Sequence, residues 1–194
     1  MTTLKQRLGA SLVPRLLVNV GCGPFGQEGW VNLDLFPAPG VTMRVDCRRP
    51  LGDGAARGIH VEHYFEHLEP ATERPCFLAE CRRCLEPGVL RIIVPDMRKH
   101  VEAYLADDWT LNEIGCGGQL PQSAFATEIE ALNHVFVQDG EHYGGFGAEY
   151  LRRTLEQAGF TDVEQVAWRE GGFPERPIDR EEHWLDSLLM KARR

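Results

Sequence analysis

The junction Leu16-Leu17-Val18-Asn19-Val20 followed by Gly21-Cys22-Gly23-Pro24-Phe25-Gly26 constrains this chain more than any other feature. A short, largely apolar run reads as a buried strand, and it enters a G-x-G-x-x-G loop in which bare backbone can approach a ligand closely. The next strand candidate, Val31-Asn32-Leu33-Asp34, follows so soon that Asp34 stands only 13 residues beyond Gly21. A loop, a full crossover helix and a strand do not fit in that interval. A dinucleotide site needs that helix, whose N-terminus holds the pyrophosphate, and an acid about 20 residues on. Pro24, Gly26 and Gly29 oppose a helix further. The junction points to a nucleoside ligand without a pyrophosphate, ahead of a dinucleotide or a purely structural turn.

The remaining pattern alternates. Thr42-Met43-Arg44-Val45-Asp46 and Gly58-Ile59-His60-Val61-Glu62 read as strands, and Ala71 to Leu85 carries an i, i+4, i+8 apolar stripe at Phe77, Cys81 and Leu85 that predicts a helix. Glu86-Pro87-Gly88 ends that helix with breaker residues, and Val89 to Val94 is the clearest strand, halted by Pro95-Asp96. A helix is expected over Met97–Ala106 and another over Ala148–Ala158, followed by strands over Phe160–Val166 and Trp184–Ala192. Leu4–Leu12 predicts a short amphipathic helix before Pro14. Alternating buried strands and helices imply an α/β domain with a mostly parallel, Rossmann-like sheet. Ligands of such sheets bind beyond the C-terminal strand ends, where Gly21, Asp34 and Asp46 all fall.

With 194 residues the chain is expected to form a single domain over 1–194. Its net charge of −8 argues against nucleic acid as a partner. No apolar run approaches the ~20 residues of a membrane span, so none is expected. Without a signal sequence, the six irregularly spaced cysteines read as free thiols in a cytoplasmic protein. Cys81 and Cys84 lie on a helix and read as packing, and Arg82-Arg83 beside Glu80 and Glu86 reads as a solvated face.

LVNVGCGP, GWVNLD, VDCRRPL, HYFEHL, LEPGVLRIIVPD and FGAEYLRRTLEQAGF, in this order, resemble the motifs of class I S-adenosylmethionine-dependent methyltransferases. The likeness is greatest to a small bacterial branch with a GCG…GW-x-N-x-D opening, and it spans roughly residues 16–96 and 146–166. The resemblance implies transfer of a methyl group from S-adenosylmethionine to a small-molecule acceptor, a hydroxyl or an amine. It implies that Gly21 and Gly23 border the methionine part of the cofactor, that Asp34 binds both ribose hydroxyls, and that Asp46 with Cys47 borders the adenine. It also implies that residues 97–145, rich in aromatic side chains, form the acceptor-binding cap. Asn19 stands where the wider family often has an acid, and the first crossover is cut short. Those departures motivate one alternative, a non-catalytic methyltransferase-like partner subunit. A nicotinamide-dependent oxidoreductase built on the glycine loop is another.

His63-Tyr64-Phe65-Glu66-His67 matches H-x-x-E-H, which on a helix would set two histidines on one face for zinc. No downstream element offers a clear third ligand, so no metal is expected. Glu66 and His67 are expected to hold the post-strand loop instead, with His63 near the methyl donor. A hydroxyl acceptor needs a base, and His63, Asp96 and His142 are the candidates, with His134 behind them. His142 precedes the helix at Ala148, and an imidazole of ordinary pKa, ~6.5, accepts a proton near neutrality.

Overall fold

The structure, a computed structural model, describes residues 16–46, 56–108, 110–111, 125–174 and 177–194. The expected helix at Leu4–Leu12 and the candidate Cys47 lie outside them. Strands β1 (Leu16–Val20), β2 (Val31–Asp34), β3 (Met43–Arg44), β4 (Ala56–Glu62), β5 (Leu85–Pro95), β6 (Thr161–Gln165) and β7 (Ser187–Arg193) form one seven-stranded sheet. Its order is β3-β2-β1-β4-β5-β7-β6. The first five strands run parallel, and β7 lies antiparallel to both β5 and β6. The α-helices that lie wholly within the described residues are α1 (Glu73–Cys84), α2 (Met97–Leu105), α3 (Glu128–Val137) and α4 (Ala148–Gln157). The architecture is the mostly parallel, Rossmann-like sheet that the alternation implies.

Several boundaries depart from the sequence pattern, and the last strand begins at Ser187 because Glu181–His183 forms a 3-10 turn ahead of Trp184. Glu86-Pro87-Gly88 does not separate α1 from the strand, because β5 already begins at Leu85. Ala56 pairs with Leu85 and Gly58 with Val89, so a bulge absorbs the extra residues. Gly88 is needed there: a Cβ would lie 2.5 Å from Leu85 Cδ2 and 3.0 Å from the Arg57 carbonyl. The third strand shrinks to Met43–Arg44, although Thr42 and Val45 still donate to the Asn32 and Asp34 carbonyls.

Period-two alternation gives the sheet two unlike faces. Val18, Val20, Leu33, Ile59, Val61, Leu90, Ile92, Val94, Leu188 and Met190 face one core with Phe77, Leu78 and Cys81 of α1 and Leu151 and Leu155 of α4. Cys81 and Cys84 are buried in that core, so their spacing reflects packing. The opposite face carries buried polar residues, Asn19, Asn32, His60, Glu62, Arg91 and Lys191. No helix joins β1 to β2; residues 21–30 form turns. Trp30 from those turns stacks on Phe173 at 5.6 Å, and a Cβ on Gly58 would meet the Phe173 ring at 2.7 Å. The segment between β6 and β7 thereby packs on this side of strands that only turns connect.

That cover is held by charge. Arg91 and Asp179 are fully buried and form a two-pronged ion pair, with Nε donating to Oδ1 at 2.7 Å. The guanidinium also donates to the Glu170 and Ala167 carbonyls at 2.8 and 3.2 Å. Breaking such a pair by removing one partner costs about 3–5 kcal/mol, because the other charge stays buried. Beside it, Glu62 lies within 3.1–3.3 Å of His60, His183 and the Arg180 amide. Burial alone would raise the Glu62 carboxyl, but His183, His60 and Arg180 together hold it far below the usual range.

The sign of the pH effect follows. Above about pH 4.5 Glu62 is ionised in both states and its contribution is complete. As pH falls below that, the unfolded chain takes up the proton first and stability is lost. Urea unfolding of wild type and Glu62→Gln at pH 7 and pH 3.5 should show a smaller acid loss in the variant. Equal losses would mean that the Glu62 network does not clamp the segment.

Candidate functional site

The strand order changes direction between β1 and β4, which opens a crevice beyond the C-terminal ends of β1, β2 and β4. Gly21 leaves β1 with φ +63°, and a Cβ there would lie 2.6–2.9 Å from the Tyr64 side chain. Gly23 has φ +50° with nothing within 4 Å of a Cβ position, so conformation rather than crowding selects glycine. Its amide donates to Asp34 Oδ2 at 2.8 Å, and the Phe36 amide donates to Oδ1 at 2.9 Å. The glycine loop and the end of β2 are thus tied through one carboxylate.

Two buried amides shape the loop behind it. Asn19 Nδ2 donates to Asn32 Oδ1 and to the Phe25 carbonyl, each at 3.3 Å. Asn32 in turn accepts from the Gln27 amide at 2.9 Å and donates to the Gln27 carbonyl at 2.8 Å. The amide at position 19 therefore fixes the turns that replace the missing helix. Asn32 is the fixed N of the GW-x-N-x-D stretch, but the sequence assigned it no role.

A cleft of about 540 Å³ opens at this crevice. Gly21, Asp34, Phe36 and Asp46 line one side, and His63, Tyr64, His67, Glu73, Glu141 and Tyr143 the other. Four carboxylates line it and, among the described residues, no lysine or arginine does.

The wall after β4 is a turn, as a post-strand loop requires, and not the helix on which a zinc-type H-x-x-E-H would depend. His63 has φ +50° and only Phe65–His67 forms a helical turn, of the 3-10 type, so His63 and His67 do not share a helix face. Ser187 Oγ donates to Asp186 at 3.0 Å and accepts from His63 Nε2 at 2.8 Å. That leaves His63 Nδ1 3.5 Å from Glu66 Oε1. The His63 ring stacks on His183 at 3.6 Å, and burial holds it well below the ordinary histidine pKa. Burial also pushes the Glu66 carboxyl up to about 8.

No protein-family model matches this sequence, and no curated protein does. Solved structures match it throughout. A SAM-dependent methyltransferase from Archaeoglobus fulgidus aligns with TM-score 0.56 and 15% identity over 93% of this chain and 86% of its own. The 1,6-didemethyltoxoflavin-N1-methyltransferase of Burkholderia thailandensis, solved with its namesake ligand and S-adenosylhomocysteine, aligns with TM-score 0.53 and 15% identity, covering 92% and 70%. A possible histamine N-methyltransferase from Thermotoga maritima gives TM-score 0.52 and 14% identity, covering 92% and 81%. The fold is the Rossmann-like methyltransferase fold.

Within this fold, the residues singled out in sequence divide into two groups. Gly21, Asp34, Asp46 and His63 meet at the cleft. Gly23 stands just behind it through Asp34. Asp96 and His142 do not line it. Asp96 caps α2, accepting the Arg98 amide at 3.1 Å, and is buried beside Phe146. His142 is buried, its Nδ1 donating to the Val135 carbonyl at 2.8 Å, and its ring packs edge-on against His67 at 4.6 Å. The expectation of an ordinary imidazole fails for His142: burial lowers its pKa to about 4. His134 packs near Phe125 on α3, away from the cleft lining.

The two glycines should respond differently to alanine. Gly23→Ala meets only the left-handed backbone and should cost about 1–2 kcal/mol. Gly21→Ala meets the same strain plus the Tyr64 ring, so its loss should be clearly larger. Urea midpoints measure both, and equal losses would contradict the close Gly21–Tyr64 approach.

Proposed function

We propose that the cleft binds S-adenosylmethionine and that the chain transfers its methyl group to a small-molecule acceptor. The observation that carries this reading is the charge of the cleft: four carboxylates and no lysine or arginine at a nucleoside-sized crevice. Such a lining suits a cationic sulfonium and opposes a pyrophosphate. The turns after β1 also lack the helix N-terminus on which a dinucleotide would rest. These two features argue against the nicotinamide alternative.

The residues present fit the cofactor. Asp34 accepts two backbone N–H groups yet keeps lone pairs for two ribose hydroxyls, since a carboxylate offers about four acceptor positions. Gly21 and Gly23 would border the methionine part. Asp46, with Cys47 next in sequence, would border the adenine, and Phe36, 70% exposed at the rim, offers a ring surface. When bound, the cofactor supplies an electrophilic methyl carbon. The protein aligns the acceptor with it and excludes water. Of the base candidates only His63 lines the cleft, and with burial lowering its pKa it would serve only as a weak base, for an acceptor that is itself acidic. Residues 97–145 would form the acceptor cap, as α2 packs on α3 and the loop after α3 brings Glu141 and Tyr143 to the cleft.

Thermal unfolding with S-adenosylhomocysteine and, separately, NAD tests the reading. The thioether at ~100 times its Kd should stabilise by about 2.7 kcal/mol, and NAD should give no shift. Asp34→Ala should weaken the thioether by roughly 1.5–3 kcal/mol, as for hydrogen bonds to a charged group. Asp34→Asn keeps an acceptor for Gly23 and serves as the folded control. Absence of any shift with S-adenosylhomocysteine would defeat the proposal.

A further inference from the structure

The turn after β4 and the loop after α3 meet at one point. The Tyr143 amide donates to the Glu66 carbonyl at 3.0 Å, and the His142 amide donates to Val137 at 3.1 Å. This stitching brings Glu66, His67 and His142 together, each with one ligand atom within 4.8 Å of the others. We propose that these three side chains form a binding site for a divalent transition-metal cation, open toward the cleft.

Three observations support it independently of the motif. Glu66 is 1% exposed, and neither carboxylate oxygen has a hydrogen-bond partner among the described residues, the His63 ring approaching Oε1 only to 3.5 Å. A buried carboxylate without partners is costly, and coordination is one of the few arrangements that satisfies it. Arg74, buried near the same turn, does not meet that need. Its guanidinium lies over the Phe65 and Phe146 rings at 5.7 and 4.6 Å and donates to Tyr150. Second, His142 donates Nδ1–H to the Val135 carbonyl, which leaves the Nε2 lone pair free. A backbone carbonyl holding the far nitrogen is the usual way a ligating imidazole is oriented. Third, His67 lines the cleft beside Gly21 and Asp34, while Glu66 and His142 stand behind it. A cation held by all three would present its remaining positions to the cleft.

Two imidazoles and one carboxylate suit zinc, cobalt, manganese or iron(II) better than calcium or magnesium. Bonds from such donors to these cations run at ~2.0–2.2 Å. The ligand set differs from the H-x-x-E-H expectation in one respect that matters. His142, 75 residues beyond His67, replaces His63, whose Nε2 is committed to Ser187. An open position beside the cleft would take an oxygen or nitrogen donor from a bound small molecule.

Cobalt(II) is the probe, titrated into untagged, metal-stripped protein without any adenosyl ligand, so the outcome is independent of the cofactor reading. The expected result is one cobalt per chain with visible ligand-field bands. Glu66→Gln and His142→Ala should weaken binding by about 100-fold or more, beyond the usual effect of losing a supporting residue. His134→Ala should leave binding unchanged, and circular dichroism melts should show each variant folded. Should His142→Ala unfold, Glu66→Gln alone decides, because it keeps the size of the side chain. Absence of stoichiometric cobalt in wild type would overturn the proposal. So would thiolate charge-transfer bands, or affinity unchanged by Glu66→Gln.

Discussion

The buried pair between Arg91 and Asp179 decides how this sheet can be covered. A doubly wound sheet normally hides each face beneath crossover helices, yet here only turns join β1 to β2. A fully apolar face left without helices would have to find another lid. Instead the strands place His60, Glu62 and Arg91 on that side, and the segment between β6 and β7 brings Asp179, Arg180 and His183 to meet them. The arrangement is strict, since a guanidinium with no solvent exposure must find all its partners in the folded chain. Phe173 and Trp30 close the remaining apolar gap over Gly58.

The same economy shapes the cleft. Without a helix after the glycine loop there is no positive helix terminus to receive phosphate, and the loop is organised by side chains instead. The Asn19–Asn32 amides set its rear, and the Asp34 carboxylate ties its front to β2. What reaches the cleft is acidic and histidine-rich. Such a lining is suited to positively charged groups, and Glu66 at its back is a buried acid without a hydrogen bond.

Much of this was legible in the sequence where a local rule applied. Gly21 and Asp34 are strand-end residues by pattern, and the short interval between them shows directly that no helix fits. Long-range partners were not legible. Arg91 sits in the apolar run Val89–Val94, and its partner lies 88 residues away. Pro87-Gly88 reads as a helix stop, but the bulge opposite Ala56–Gly58 keeps the residues within the strand. His142 looked like a loop base because the Val135 carbonyl and the His67 ring, which bury and orient it, belong to elements that only the fold brings near. The H-x-x-E-H spacing suggested a helix, whereas the left-handed His63 and a three-residue turn separate its histidines.

The central claim is that the acidic crevice at the ends of β1, β2 and β4 is an adenosyl site. A crystal structure of the chain with S-adenosylhomocysteine tests it most directly. The account predicts ribose hydroxyls within about 3.2 Å of the Asp34 carboxylate, with the sulfur facing the wall formed by His63 and Tyr64. A bound thioether lying elsewhere on the protein, with Asp34 holding only Gly23 and Phe36, would contradict it.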